Sequence, residues 1–153
     1  MSSPLVEIAK QKKQEWINCR QNSRLERENW KNKVKELYAQ IKQWLMPLEQ
    51  DNLLRWQEEN KQNTTEGIEV GDYLTVIFFN GQTIQFDPVG LEVVGAYGRV
   101  DMRLGLHKVM IVMPKKNGNW LFAERYNREE PTLYDFNQEN FEQLVTEFIE
   151  SFS

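Results

Sequence analysis

One cysteine and one histidine are all that the 153 residues carry. Cys19 alone permits no intrachain disulfide and no cysteine-cluster zinc site, and its isolation points to a reducing, cytoplasmic setting. His107 has no second imidazole to join it and no G-x-S-x-G elbow beside it, so a hydrolase triad or a histidine-based metal site has little to be built from. Long apolar runs are absent too. Val109–Met113 and Val76–Phe79 are the longest, far short of the roughly 20 residues that cross a bilayer. The first seven residues lack the basic-then-apolar order of a secretory signal. Gly95 and Gly98 lie between two predicted strands rather than between strand and helix, so they read as a β-turn and not as a phosphate-cradling loop. None of these features asks for a cofactor or a resident metal.

What is present is a chain with 40% hydrophobic, 12% aromatic and 27% charged residues, the composition of a folded domain with an extension. The net charge of −4 is unevenly spread. Residues 1–61 hold 12 Lys and Arg against 9 Asp and Glu (+3), and residues 62–153 hold 7 against 14 (−7). The split predicts a helical assembly or partner-binding arm over residues 1–61 and an antiparallel β domain with a C-terminal helix over 62–153.

Trp16, Trp30 and Trp44 stand 14 residues apart, two heptads each. Val34, Leu37, Ile41 and Leu48 fall between and after the last two at alternating steps of three and four, which draws a seam down one side of a helix. With tryptophan at d, the a positions upstream are Arg27 and Arg20, so the seam weakens toward Trp16. Tyr38 and Leu45 widen the stripe, which favours packing into a core over a bare two-stranded zipper. Ser3 and Pro4 form a helix start. No glycine or proline occurs from Leu5 to Met46, and Asn18–Ser23 is the weakest stretch, where Ser23 and Glu26 offer a capping box for a second helix. Either one long helix or a helical hairpin is expected. Pro47 is expected to end or kink it near Leu45, with a further helical segment to about Asn60 and a polar linker over 61–67.

Downstream, Tyr73–Phe79, Gln82–Phe86, Leu91–Val94, Arg99–Leu104, Lys108–Met113 and Trp120–Tyr126 read as about six short strands. Asn80-Gly81 is a hairpin turn, and Asp87–Gly90 is a second turn. Asn137 caps a last helix, in which Phe141, Leu144, Val145, Phe148, Ile149 and Phe152 share one face. The fold class is therefore α+β: an N-terminal helix or hairpin, an antiparallel meander, and a C-terminal amphipathic helix packed on the sheet.

Gly98-Arg-Val-Asp101 followed by the strand Val109–Met113 and Lys115 resembles half of the core of the PD-(D/E)xK nucleases. The resemblance spans about 18 residues and implies a metal-dependent nuclease, with Asp101 as a metal ligand and Lys115 positioning the water. Met113 occupies the place of the second acid, and a Lys-Lys-Asn-Gly turn follows where that family continues into a helix. An alternative for Arg99, Asp101 and Arg103, together with Glu124 and Arg125, is a set of cross-strand charge pairs on the wet face of the sheet. The basic arm (Lys10, Lys12, Lys13, Arg20, Arg24, Arg27, Lys31, Lys33 and Lys35), with Trp16 and Trp30 as stacking surfaces, would also suit nucleic acid, but the heptad spacing of the tryptophans, the interleaved acids and the acidic remainder weigh against it. The leading expectation is a non-enzymatic interaction module, an oligomerising accessory subunit, adaptor or inhibitor. Its protein partner or second copy is met through residues 5–48, with Trp16, Arg20, Arg27, Trp30 and Trp44 as the contact residues.

Overall fold

The computed structural model describes residues 3–62, 69–91, 97–125 and 130–153. Helix α1 (Pro4–Gln50) leads into a seven-stranded sheet and a closing helix α2 (Gln138–Glu150). The strands are β1 (Leu54–Gln62), β2 (Glu69–Phe78), β3 (Thr83–Leu91), β4 (Gly98–Leu104), β5 (His107–Met113), β6 (Leu121–Glu124) and β7 (Thr132–Asp135). They pair in sequence order, each antiparallel to the next.

α1 is one helix of 47 residues, about 70 Å long at 1.5 Å per residue. The Ser3 hydroxyl accepts from the Val6 amide at its start. No break occurs at Asn18–Ser23: without glycine or proline, carrying the helix through weak formers costs far less than nucleating it again. Pro47 does not end it either. Its missing N–H would have served the carbonyl of Gln43, an exposed residue whose oxygen can turn to water, and the helix runs on to Gln50. It stops where Asn52 takes a left-handed φ of 59° and the Leu53 amide bonds back to the Leu48 carbonyl at 2.9 Å.

The helical segment expected up to Asn60 is instead the edge strand β1. Leu54 and Trp56 face Phe78 and Val76 across the pair, while Arg55, Gln57 and Glu59 alternate outward. The boundary expected at residue 61 thus falls inside a strand. Of the linker expected over 61–67, residues 63–67 lie outside the described residues. The strand expected over Leu91–Val94 is described only at Leu91, which ends β3, and residue 126 of the last expected strand is likewise outside. The turn expected at Asp87–Gly90 is part of β3: the register slips between Pro88 and Gly90, a bulge that accommodates the proline and the glycine's φ of 124°. β7 is the other unexpected strand, and with Leu91 taken into β3 the described residues form seven strands and not about six. The Asn80-Gly81 hairpin forms, with Gly81 at φ 85° and the Asn80 side chain accepting from the Gln82 amide.

One core joins both helices to one face of the sheet. Alternate strand residues (Leu74, Val76 and Phe78; Ile84 and Phe86; Val100 and Met102; Val109 and Ile111) meet Trp30, Val34, Leu37, Ile41 and Leu45 of α1. Phe141, Leu144, Val145 and Phe148 of α2 join the same cluster. Tyr38 places its hydroxyl 2.6 Å from the Asp72 carbonyl, to which it donates, and burial pushes its ionisation well above the usual phenol range. Trp30 lies so close to Gly98 that a β-carbon there would sit 2.3 Å from the indole. Glycine is required at that position for space.

Candidate functional site

The tryptophan ladder divides between three environments. Trp30 is 1% exposed, and its ring meets Tyr97 and Trp120 at centroid distances of 6.3 and 5.7 Å. It is a core residue, not the contact residue that the sequence suggested. Trp44 is half-buried against Phe136 and Phe141, at 5.1 and 5.2 Å. Trp16 is 59% exposed, with the Arg20 guanidinium stacked 4.9 Å from its ring. Arg27 is half-buried below them, where the arm meets the sheet.

Between Pro4 and Leu25 every described side chain is exposed except the half-exposed Ile17. This segment is an arm of about 33 Å that continues α1 beyond the sheet. It carries Lys10, Lys12, Lys13, Arg20 and Arg24 against Glu7 and Glu15, a net +3. It also leaves Leu5 (76% exposed), Val6, Ile8, Trp16 and Leu25 in water. At 100° per residue, Leu5, Ile8 and Trp16 fall within one arc of roughly 80°, on the same side as the buried Trp30 and Ile41. The apolar stripe therefore outlasts the sheet that covers its lower half.

A polar clamp holds the helix where the arm departs. The Glu26 carboxylate accepts from the Tyr97 hydroxyl at 3.0 Å and pairs with Lys116. Asn29 donates to the same hydroxyl at 3.4 Å. The bonds from Lys116 and Tyr97 hold Glu26 below its usual value, and the bond to Glu26 raises Lys116. Burial is the main cause that raises Tyr97.

Beside α1 lies a groove of about 600 Å³. Trp44, Trp120 and Phe136 form its aromatic floor, with Lys33, Glu36, Gln40, Asn119 and Asp135 among its polar lining. Asn137, the N-cap of α2, also lines it, while Glu139 and Glu142 line a separate concavity on α2. The four carboxylates of α2 (Glu139, Glu142, Glu147 and Glu150) have no lysine or arginine on that helix to offset them.

Asp101 and Lys115 are not brought together. Asp101 pairs in register with Met110, and Lys115 lies five residues further along the chain, on the order of 15 Å at strand spacing. Asp101 is 3% exposed and has the Arg99 Nε at 3.0 Å, an ion contact without the alignment of a hydrogen bond. Asp87 stands opposite Asp101 and has Arg103 at 3.7 Å. The Arg99–Asp101 contact lies within β4 and Asp101 is buried, so it is not the cross-strand pairing on a wet face weighed from the sequence, whereas the Arg103–Asp87 contact does cross from β4 to β3. Among the described residues no group of three His, Cys, Asp or Glu converges as a metal site. His107 Nε2 lies 3.0 Å from the largely buried Glu124. Cys19 is exposed on the arm, beyond the end of the sheet opposite to His107. No described helix is long and apolar enough to cross a membrane.

Sequence reasoning missed Trp120, Phe136 and the Glu26–Tyr97–Lys116 clamp. Trp120 and Phe136 flank β6 and β7, and their only local signal is an aromatic residue beside a turn. The fold and these surfaces define an α+β protein in which a seven-stranded meander covers the lower half of a long helix and leaves the upper half free. No family model, curated protein or solved structure matches the chain.

Proposed function

We propose that the chain is a non-enzymatic protein-interaction module, an accessory or adaptor subunit that presents the α1 arm to a protein partner. The observation that carries this reading is the exposed Leu5, Ile8 and Trp16 stripe on a helix that the fold itself leaves uncovered. The 22 residues of the arm gain no stability from packing on the sheet, and exposing large apolar side chains along them gains nothing unless a partner buries them. Tryptophan and arginine, here stacked as Trp16 and Arg20, are residue types that concentrate binding energy. The nuclease reading has less support, because Arg99 neutralises Asp101 and Lys115 is remote from it.

The test is co-purification of intact protein against a Leu5→Ser/Trp16→Ala variant with an unchanged melting curve. Loss of a retained protein, or loss of self-association, in the variant alone supports the reading. Equal behaviour of the two proteins refutes it. A salt-sensitive shift of short single-stranded RNA by the intact chain alone would move the arm to nucleic-acid binding.

A further inference from the structure

We infer that the occupant of the aromatic groove is the arm of a second copy of this chain. The inference rests on the interaction-module reading and names the partner. The arm is an amphipathic helix whose stripe is interrupted by a cation, since Lys12 falls between Ile8 and Trp16 on the same arc. Lys12 has only an exposed contact with Glu15 at 3.4 Å, a pair of little energetic weight. A surface that receives this helix must be apolar along its floor and carry carboxylates at its edge.

The groove has both properties. Trp44, Trp120 and Phe136 supply the floor, and Glu36 and Asp135 supply carboxylates beside the one cation Lys33. The arm carries a net +3, and α2, whose N-cap Asn137 lines the groove, carries four acids and no base. The match is that of an amphipathic helix laid into an apolar groove, with the charges fixing its direction.

A chain cannot fill its own groove. Trp44 is part of the groove and stands 28 residues beyond Trp16 on the same helix, about 42 Å away along the axis. The contact is therefore between copies, and it joins two different surfaces. Such a contact either closes as a reciprocal exchange of arms about a two-fold axis or extends head to tail. The Glu26–Tyr97–Lys116 clamp serves either arrangement by fixing the angle at which the arm leaves the sheet.

Sedimentation of the intact chain tests this with two variants. Trp16→Ala disables the arm, and Glu36→Lys/Asp135→Lys disables the groove edge. All three positions are solvent-exposed, so thermal melts of the dilute proteins should match the parent. The expected results are a parent whose mass rises with concentration to at least twice that of the chain and self-association at least about 10-fold weaker in each variant. A mixed species should then form when the two variants are combined, because one good arm still meets one good groove. Raised salt should weaken the parent assembly. A parent that stays monomeric at about 100 µM, or association that survives both variants, overturns the inference. If the monomeric chain still retains a different protein that Trp16→Ala loses, self-docking falls and the interaction-module reading stands. If it retains none, both fall.

Discussion

Replacing Trp30 and Trp16 by alanine, one at a time, measures how differently the two halves of α1 are used. The Trp30 indole is enclosed by Tyr97, Trp120 and the bare backbone of Gly98. A buried tryptophan removes about 150–250 Å² from water, or roughly 4–6 kcal/mol at 25 cal/mol per Å². Buried Trp and Phe truncations cost about 3–5 kcal/mol. An expectation near 4 kcal/mol lowers the folding equilibrium constant about a thousandfold. Trp16 is more than half exposed and its one ring contact is Arg20, so Trp16→Ala should cost no more than about 0.5–1 kcal/mol. Urea unfolding of dilute protein, followed by far-ultraviolet circular dichroism so that loss of a fluorophore does not matter, gives both numbers. The division of the helix is refuted if Trp30→Ala lies within about 1 kcal/mol of the parent, or if Trp16→Ala costs as much as Trp30→Ala.

Three further outcomes follow from single contacts. Gly98→Ala drives a methyl into the Trp30 ring and should destabilise by about 1–3 kcal/mol in the same urea assay, and a neutral result would mean that the indole can move aside. Tyr38→Phe removes the donor to the Asp72 carbonyl and should cost about 1–2 kcal/mol with an unchanged denaturant slope. For pH, the folded Glu26 ionises below its ordinary value of 4.5, so its contribution is complete above that value and is lost as pH falls through the folded one. Lys116, raised above 10.5, keeps its contribution below that pH and loses it as pH rises through the folded value. Glu26→Gln should therefore flatten the acid limb of a melting-temperature profile, and a profile identical to the parent's would show that the clamp adds nothing.

The seam from Trp30 to Leu48 was legible because residues that pack on a surface recur at the helical period whatever that surface is. The period could not say whether the surface was another helix or a sheet, and here it is a sheet. α2 and the Asn80-Gly81 turn were legible from one greasy face and one dipeptide. β1 was not, because Leu48, Leu53, Leu54 and Trp56 also fit helical spacing and no glycine or proline separates the strand from residues 48–53 except the turn at Asn52. Pro88 was read as a turn because the bulge that admits it depends on the neighbouring strand's register. The exposed stripe at Leu5, Ile8 and Trp16 could be written down from the sequence, but only the extent of the sheet shows that none of the described residues covers it. The clamp joins residues 90 positions apart, Glu26 and Lys116, the groove joins residues further apart still, such as Trp44 and Phe136, and no local pattern announces them.

Hydrogen exchange across a range of protein concentrations reads the arm most directly. The account predicts that the amides of residues 5–25 exchange fast in dilute protein and become protected as concentration rises, while those from Trp30 to Leu45 stay slow throughout. Arm amides that exchange at one unchanging rate over that range would contradict it.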